Sequence, residues 1–163
     1  MPATPEDLFA RLDALNIATM THAHPPLHTV EESRRLRGAL PGGHCKNLYL
    51  RDKKKRNWLL VTLEDREVDL KAVSTVLGAG RLSFGSADRL MEFLGVTPGS
   101  VTPFALINDP EQRVTVVLDE VMLKVDLLNY HPLVNTATTA IAPDDLLAFI
   151  RAGGHEPQIV ALD

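Results

Sequence analysis

The chain has 163 residues, 45% of them hydrophobic and 23% charged, with a formal net charge of -4; these globular values exclude wholesale disorder, and the length suits one domain spanning residues 1–163. No apolar run approaches the roughly 20 residues that cross a bilayer, so no membrane partner is expected, and one cysteine, Cys45, allows no internal disulfide and fits a reducing cytoplasm. The negative total also argues against wrapping duplex DNA, because phosphate binding relies on Lys and Arg displacing condensed counterions.

Thr4-Pro5-Glu6-Asp7 predicts a helix start, with Thr4 as N-cap, Pro5 in the first turn and acids facing the dipole. Leu8, Phe9, Leu12 and Leu15 make its apolar stripe. This stretch is acidic and amphipathic, unlike a signal peptide. Asn16 ends the helix, and Ala18 to His22 alternates like a short strand. After Pro25-Pro26, Thr29-Val30-Glu31-Glu32 predicts a capping box and a short helix that stops near Gly38. Lys46 to Arg51 and Asn57 to Leu63 read as a hairpin whose tip, Asp52 to Arg56, is basic. With Arg34, Arg35 and Arg37, that tip concentrates positive charge enough for local contact with a nucleic-acid end, although two solvated surfaces would look the same.

Val68 to Val73 has helical periodicity up to Gly78, and Arg81 to Phe84 reads as a short strand. Ser86 caps a helix from Ala87 to Leu94 that Gly95 terminates. Beyond the turn cluster Thr97-Pro98-Gly99-Ser100, strands are expected at Phe104 to Ile107, Val114 to Leu118, Val121 to Tyr130 with an irregular start, and Thr138 to Ile141. Pro143-Asp144-Asp145 opens a last helix to about Ala152, and Gln158 to Ala161 closes the chain as a strand. The expected fold class is α+β, with a mixed, largely antiparallel sheet curled into a barrel-like core and helices outside.

Six histidines invite a metal reading, above all His22 and His24 on one strand face. With Pro25-Pro26 directly after His24 and no paired cysteines, no metal site is expected. There is no Gly-x-Ser-x-Gly elbow, Cys45 has no oriented base, and Gly42-Gly43 is no nucleotide loop. Three segments exceed what packing needs. Lys46-Asn47 is either a solvated strand charge or a cation at a cleft mouth. Gly99-Ser100-Val101-Thr102-Pro103 is either a plain turn or a loop exposing amides to an oxyanion. The run from Asn129 through His131, Asn135 and Thr136 to Thr139 is either a polar turn or a pocket lining.

Lys46-Asn47-Leu48-Tyr49-Leu50, Gly99-x-x-x-Pro103 and His131-Pro132-Leu133-Val134-Asn135-Thr136, in this order, resemble the YbaK/prolyl-tRNA-synthetase-associated domain family, and within it the free-standing ProX type. The resemblance implies a barrel-like mixed sheet and a trans-acting hydrolase that deacylates mischarged tRNA(Pro), alanyl-tRNA(Pro) above all, without metal, cofactor or protein nucleophile. It makes Lys46, Gly99 and Ser100 the catalytic set, and Asn47, Pro103, His131, Asn135 and Thr136 substrate contacts. The partners it implies are the tRNA acceptor end and prolyl-tRNA synthetase. The alternatives are an editor of cysteine, serine or threonine on tRNA, a non-catalytic tRNA-binding module, and a metal-dependent hydrolase.

Overall fold

The computed structural model describes residues 2–26, 35 and 40–162. The expected capping box at Thr29 to Glu32 and the arginines Arg34 and Arg37 lie outside them.

Helix α1 (Pro5–Ala14) begins with a reciprocal cap: Asp7 N–H donates to Thr4 Oγ1 at 3.2 Å and Thr4 N–H to Asp7 Oδ2 at 2.9 Å. Both orphan donors at the helix start are thereby satisfied. It buries Leu8 and Leu12. The strands β1 (Met20–Ala23), β2 (Gly43–Arg51) and β3 (Asn57–Leu63) follow, then α2 (Leu70–Leu77), β4 (Ser83–Phe84) and α3 (Ala87–Leu94). Two 3-10 turns, Pro98–Ser100 and Pro103–Asn108, precede β5 (Val114–Asp119). A third, Val121–Lys124, leads to β6 (Leu128–Tyr130), β7 (Ala137–Ile141), α4 (Pro143–Ala152) and β8 (Gln158–Val160).

One expected strand is a helical turn instead. Pro103 pre-sets the backbone and Thr102 Oγ1 accepts from Phe104 N–H at 3.3 Å, so Phe104 to Ile107 winds into a 3-10 helix. Phe104, Ala105 and Leu106 are all buried in that turn, which removes the alternation a half-buried strand would show. Val121 to Tyr130 starts irregularly as expected, with the 3-10 turn Val121–Lys124, and is a strand from Leu128.

The strand order is β1-β7-β6-β2-β3-β5-β8, with β4 on β2. Pairings β1/β7, β6/β7, β2/β3 and β2/β4 are antiparallel, and β2/β6, β3/β5 and β5/β8 are parallel. The sheet is mixed as expected, but among the described residues it is not closed: β1 and β8 end the path and do not pair. One face carries the larger core, with Leu8, Leu59, Val61, Phe104, Leu118, Tyr130 and Phe149. The other carries a smaller cluster of Leu50, Trp58, Leu60, Val73, Leu82 and Val117 beneath α2.

Gly42 decides where β2 begins. Its φ is +98°, and a Cβ there would lie 2.8 Å from the Leu127 carbonyl. Only glycine lets the chain pass that close, and Gly43 N–H then donates to Leu127 O at 2.8 Å, setting β2 beside β6.

Candidate active site

The shared strand β2 is where the sheet divides. Its residues Gly43 and His44 pair with β6, and Leu50 and Arg51 pair with β4 on the same edge. Among the described residues, Cys45 to Tyr49 have no strand on that edge. Lys46-Asn47 therefore sits at a split in the sheet, between the stretch paired with β6 and the stretch paired with β4.

Alternation sends the two side chains to opposite faces. Lys46 is paired with Thr62 and lies two residues from His44, which is paired with Asn129. Lys46 Nζ donates to the Arg66 carbonyl. Asn47, paired with Val61, turns toward the larger core, and its Oδ1 is shut from solvent without a hydrogen-bond partner. An orphaned amide oxygen inside a protein is costly, about 1–3 kcal/mol, and is what an arriving donor would satisfy.

On the Lys46 face, strands β1, β6 and β7 gather a histidine cluster. His24 Nδ1 contacts the Pro25 carbonyl at 2.8 Å, and its Nε2 meets Thr138 Oγ1 at 2.8 Å. His24 and His131 rings stand 6.4 Å apart. His131 Nδ1 lies 3.0 Å from the Ala137 carbonyl, an acceptor, so that nitrogen carries the proton. Burial first, and His24 to a lesser degree, lower the His131 pKa against the Ala137 bond that raises it. The ring is thus neutral and presents Nε2 as a lone-pair acceptor. His24 and Thr138 were not singled out as site residues in the sequence; the signal was the polar run ending in Thr138-Thr139 and a histidine ahead of Pro25-Pro26.

The glycine turn stands beside the loop that follows His131, at Asn135. Pro98 has no N–H and Thr97 makes no side-chain cap, so the Gly99 amide opens this turn without a cap. A Cβ at Gly99 would meet only Asn135 Nδ2, at 3.5 Å, an ordinary contact. Neither backbone conformation nor packing demands glycine there; what glycine leaves is room for another molecule to approach the backbone beside Asn135. Ser100 differs: its N–H donates to the Thr97 carbonyl at 2.9 Å and the residue is buried, so its amide is already committed. Pro103 is buried at the start of the next turn. The Thr136 carbonyl is taken by His24 N–H at 2.9 Å.

The structure therefore joins Gly99 to Asn135, and His131 to His24, Thr138 and, through His24, Thr136. Among the described residues no hydrogen bond or ring contact links Lys46 or Asn47 to either group. Cys45, beside Lys46, is no nucleophile: burial pushes its thiol up to about 12 despite hydrogen bonding with Tyr130. No three His, Cys, Asp or Glu side chains among the described residues gather as a metal-binding group, and no described helix is long and apolar enough to cross a membrane.

The model for the aminoacyl-tRNA editing domain matches residues 24–149, a span that holds Lys46, Gly99 and His131. The chain belongs to the aminoacyl-tRNA editing domain family. It is 39% identical over 162 residues to the mouse prolyl-tRNA synthetase associated domain-containing protein 1, covering 96% of this chain and 95% of that one. It is 35% identical over 156 residues to the prolyl-tRNA editing protein ProX of Acetoanaerobium sticklandii, covering 95% of each. The editing-domain fold also matches a crystal structure described as a candidate trans-editing enzyme for prolyl tRNA synthetase. That match has a TM-score of 0.73 at 21% identity, over 100% of this chain and 99% of the other. This editing domain is thus of the prolyl-tRNA, ProX-like kind, with the α+β fold and mixed sheet that its sequence announces.

Proposed function

We propose that this protein is a trans-acting deacylase of mischarged tRNA(Pro), with alanyl-tRNA(Pro) as preferred substrate, working in the cytoplasm as one domain over residues 1–163. The observation that carries the hydrolytic reading is Gly99: an uncommitted amide at the start of a turn, with space kept open beside Asn135. Amides in that position stabilise negative charge developing on a carbonyl oxygen.

The aminoacyl ester is already activated, so orientation and charge stabilisation suffice. Water adds to the ester carbonyl carbon, and the oxyanion is met by the Gly99 N–H and the Lys46 ammonium. The ribose oxygen then leaves and takes up a proton, giving free amino acid and tRNA with its terminal hydroxyl restored. His131 Nε2 accepts a hydrogen bond from a donor of the substrate end, Asn47 Oδ1 from another, and Asn135, Thr136 and Pro103 shape the pocket. Ser100 serves through its place in the turn rather than through its amide. Prolyl-tRNA synthetase is the proposed source of the mischarged tRNA.

Size sets the specificity. One methylene is worth about 1–3 kcal/mol in a synthetase pocket, so smaller amino acids slip through and a second, tighter site removes them. The test is single-turnover deacylation of tRNA(Pro) charged with alanine, cysteine, serine or proline. Alanine release is expected to dominate, with proline spared. Preferential release of cysteine or serine would reassign the amino acid, and tRNA binding without release of any would leave a binding module.

A further inference from the structure

Lys46 is held by a carbonyl, and that carbonyl belongs to a residue which is itself anchored. The turn after β3 brings Arg66 back over the sheet, its N–H donating to Leu63 O at 3.1 Å. Arg66 Nε then lies 3.1 Å from Asp119 Oδ2, a carboxylate wholly shut from solvent at the end of β5. The same oxygen accepts from Thr62 Oγ1 at 2.6 Å, and Asp119 Oδ1 takes the Val121 N–H at 3.3 Å. Thr62 is the residue directly across the ladder from Lys46. Paired residues in an antiparallel ladder share a face, so Lys46, Thr62, Asp119 and Arg66 form one polar network beside the smaller apolar cluster.

This network is expensive for a structural ornament. A fully buried carboxylate pays heavily for desolvation and is tolerated only when every bond is made. The smaller core cluster, with Leu60 and Val117 on this face, would close over apolar side chains at less cost. What the network does is place one peptide carbonyl: Asp119 fixes the Arg66 side chain, Arg66 fixes its own backbone, and that carbonyl takes one of the three ammonium protons of Lys46. The remaining two are left for another acceptor.

We propose that Asp119 and Arg66 are positioning residues that set the direction of the Lys46 ammonium at the sheet split. The proposal rests on Lys46 being the substrate-facing cation of the deacylase. It predicts that removing the anchor frees Lys46 without removing its hydrogen-bond acceptor, because that acceptor is main chain.

The experiment compares the full-length chain with Arg66→Gln, Asp119→Asn, Asp119→Glu and Thr62→Val, each checked for folding by circular dichroism. Two readouts are taken. One is the rate of amidination of the Lys46 amine, followed by peptide mass spectrometry, which needs no catalytic activity. The other is kcat and KM for alanyl-tRNA(Pro) deacylation. Folded Arg66→Gln and Asp119→Asn are expected to label several-fold faster at Lys46. Because small misplacements of a catalytic group can cost up to about 100-fold, kcat should fall by about 10-fold or more with KM little changed. Asp119→Glu should restore part of kcat. Labelling and kcat at wild-type levels in folded Arg66→Gln and Asp119→Asn overturn the proposal. Should those two fail to fold, Thr62→Val decides: faster Lys46 labelling supports the network, and unchanged labelling ends it. If the wild type releases no amino acid from any charged tRNA, the deacylase reading fails while the labelling still answers the positioning question.

Discussion

At the scale of single residues, the adjacent Lys46 and Asn47 point to opposite sides of one strand. Lys46 is a half-buried cation bonded to the Arg66 carbonyl, and Asn47 offers a buried, unpartnered amide oxygen. Replacing Lys46 with alanine removes charge that acts chiefly in the transition state. Losing one such donor typically costs about 100-fold or more in kcat, so Lys46→Ala should deacylate alanyl-tRNA(Pro) at a few per cent of the wild-type rate while remaining folded; single-turnover kinetics at full activity would remove Lys46 from the site. His131 gives a second test. Burial holds its pKa below the usual 6.5, so the fold favours the neutral ring. The stability this contributes is complete above 6.5 and is lost as pH falls below it, because the unfolded chain takes up the proton first. Titration of the His131 ring by NMR should give a midpoint below 6.5, and a midpoint above it would mean that burial does not outweigh the bond to the Ala137 carbonyl.

At the scale of elements, the helices were written in their ends. Ser86 Oγ accepts from Arg89 N–H at 3.1 Å to open α3, and Gly95 closes it in the left-handed conformation at φ +67°. A Cβ at Gly95 would lie 2.7 Å from Asn108 Nδ2, which donates at 2.8 Å to the Leu94 carbonyl. Gly95→Ala therefore combines an unfavourable backbone with displacement of that bond. Urea unfolding should show a loss of about 1–2 kcal/mol; a neutral effect would mean that the α3 end is not held by Asn108. By contrast Phe104 to Ile107 looks like a strand in the sequence, because four apolar residues in a row carry no period. The Thr102 cap and Pro103 decide it locally, but only the surrounding core makes burial of the whole turn worthwhile.

At the scale of the molecule, the chain's distant parts are pinned by buried polar pairs. Asp109, ahead of β5, accepts from Arg113 N–H at 2.9 Å and Val114 N–H at 2.8 Å, and meets His155 Nε2, beyond α4, at 3.0 Å. Burial pushes its carboxyl up, but the bonds from His155, Arg113 and Val114 outweigh it and leave the pKa below the usual 3.8. The stabilisation is full above 3.8 and disappears as pH falls through the lower folded value. Asp109→Ala strands several buried donors and should cost about 3 kcal/mol at neutral pH. Urea titrations at neutral and acid pH should show wild type and variant converging as the medium becomes acidic; a constant gap would mean that packing, not charge, carries the effect.

Much of this protein was determined by its sequence alone. Caps, prolines and glycines act within a few residues of themselves, so α1, α3, α4 and the β2/β3 hairpin could be read directly, and Lys46, Gly99 and His131 stood out as residues that packing did not need. Tertiary structure decided the rest. Strand order, the parallel pairings of β2 with β6 and β3 with β5, and the open rather than closed sheet all depend on partners 50 or more residues apart, for which local pattern carries no information. The same holds for the site. That Lys46 leans on Arg66 and Arg66 on Asp119, that Gly99 keeps space beside Asn135 and that His24 joins His131 are matters of distance in space, set only when the sheet splits along β2.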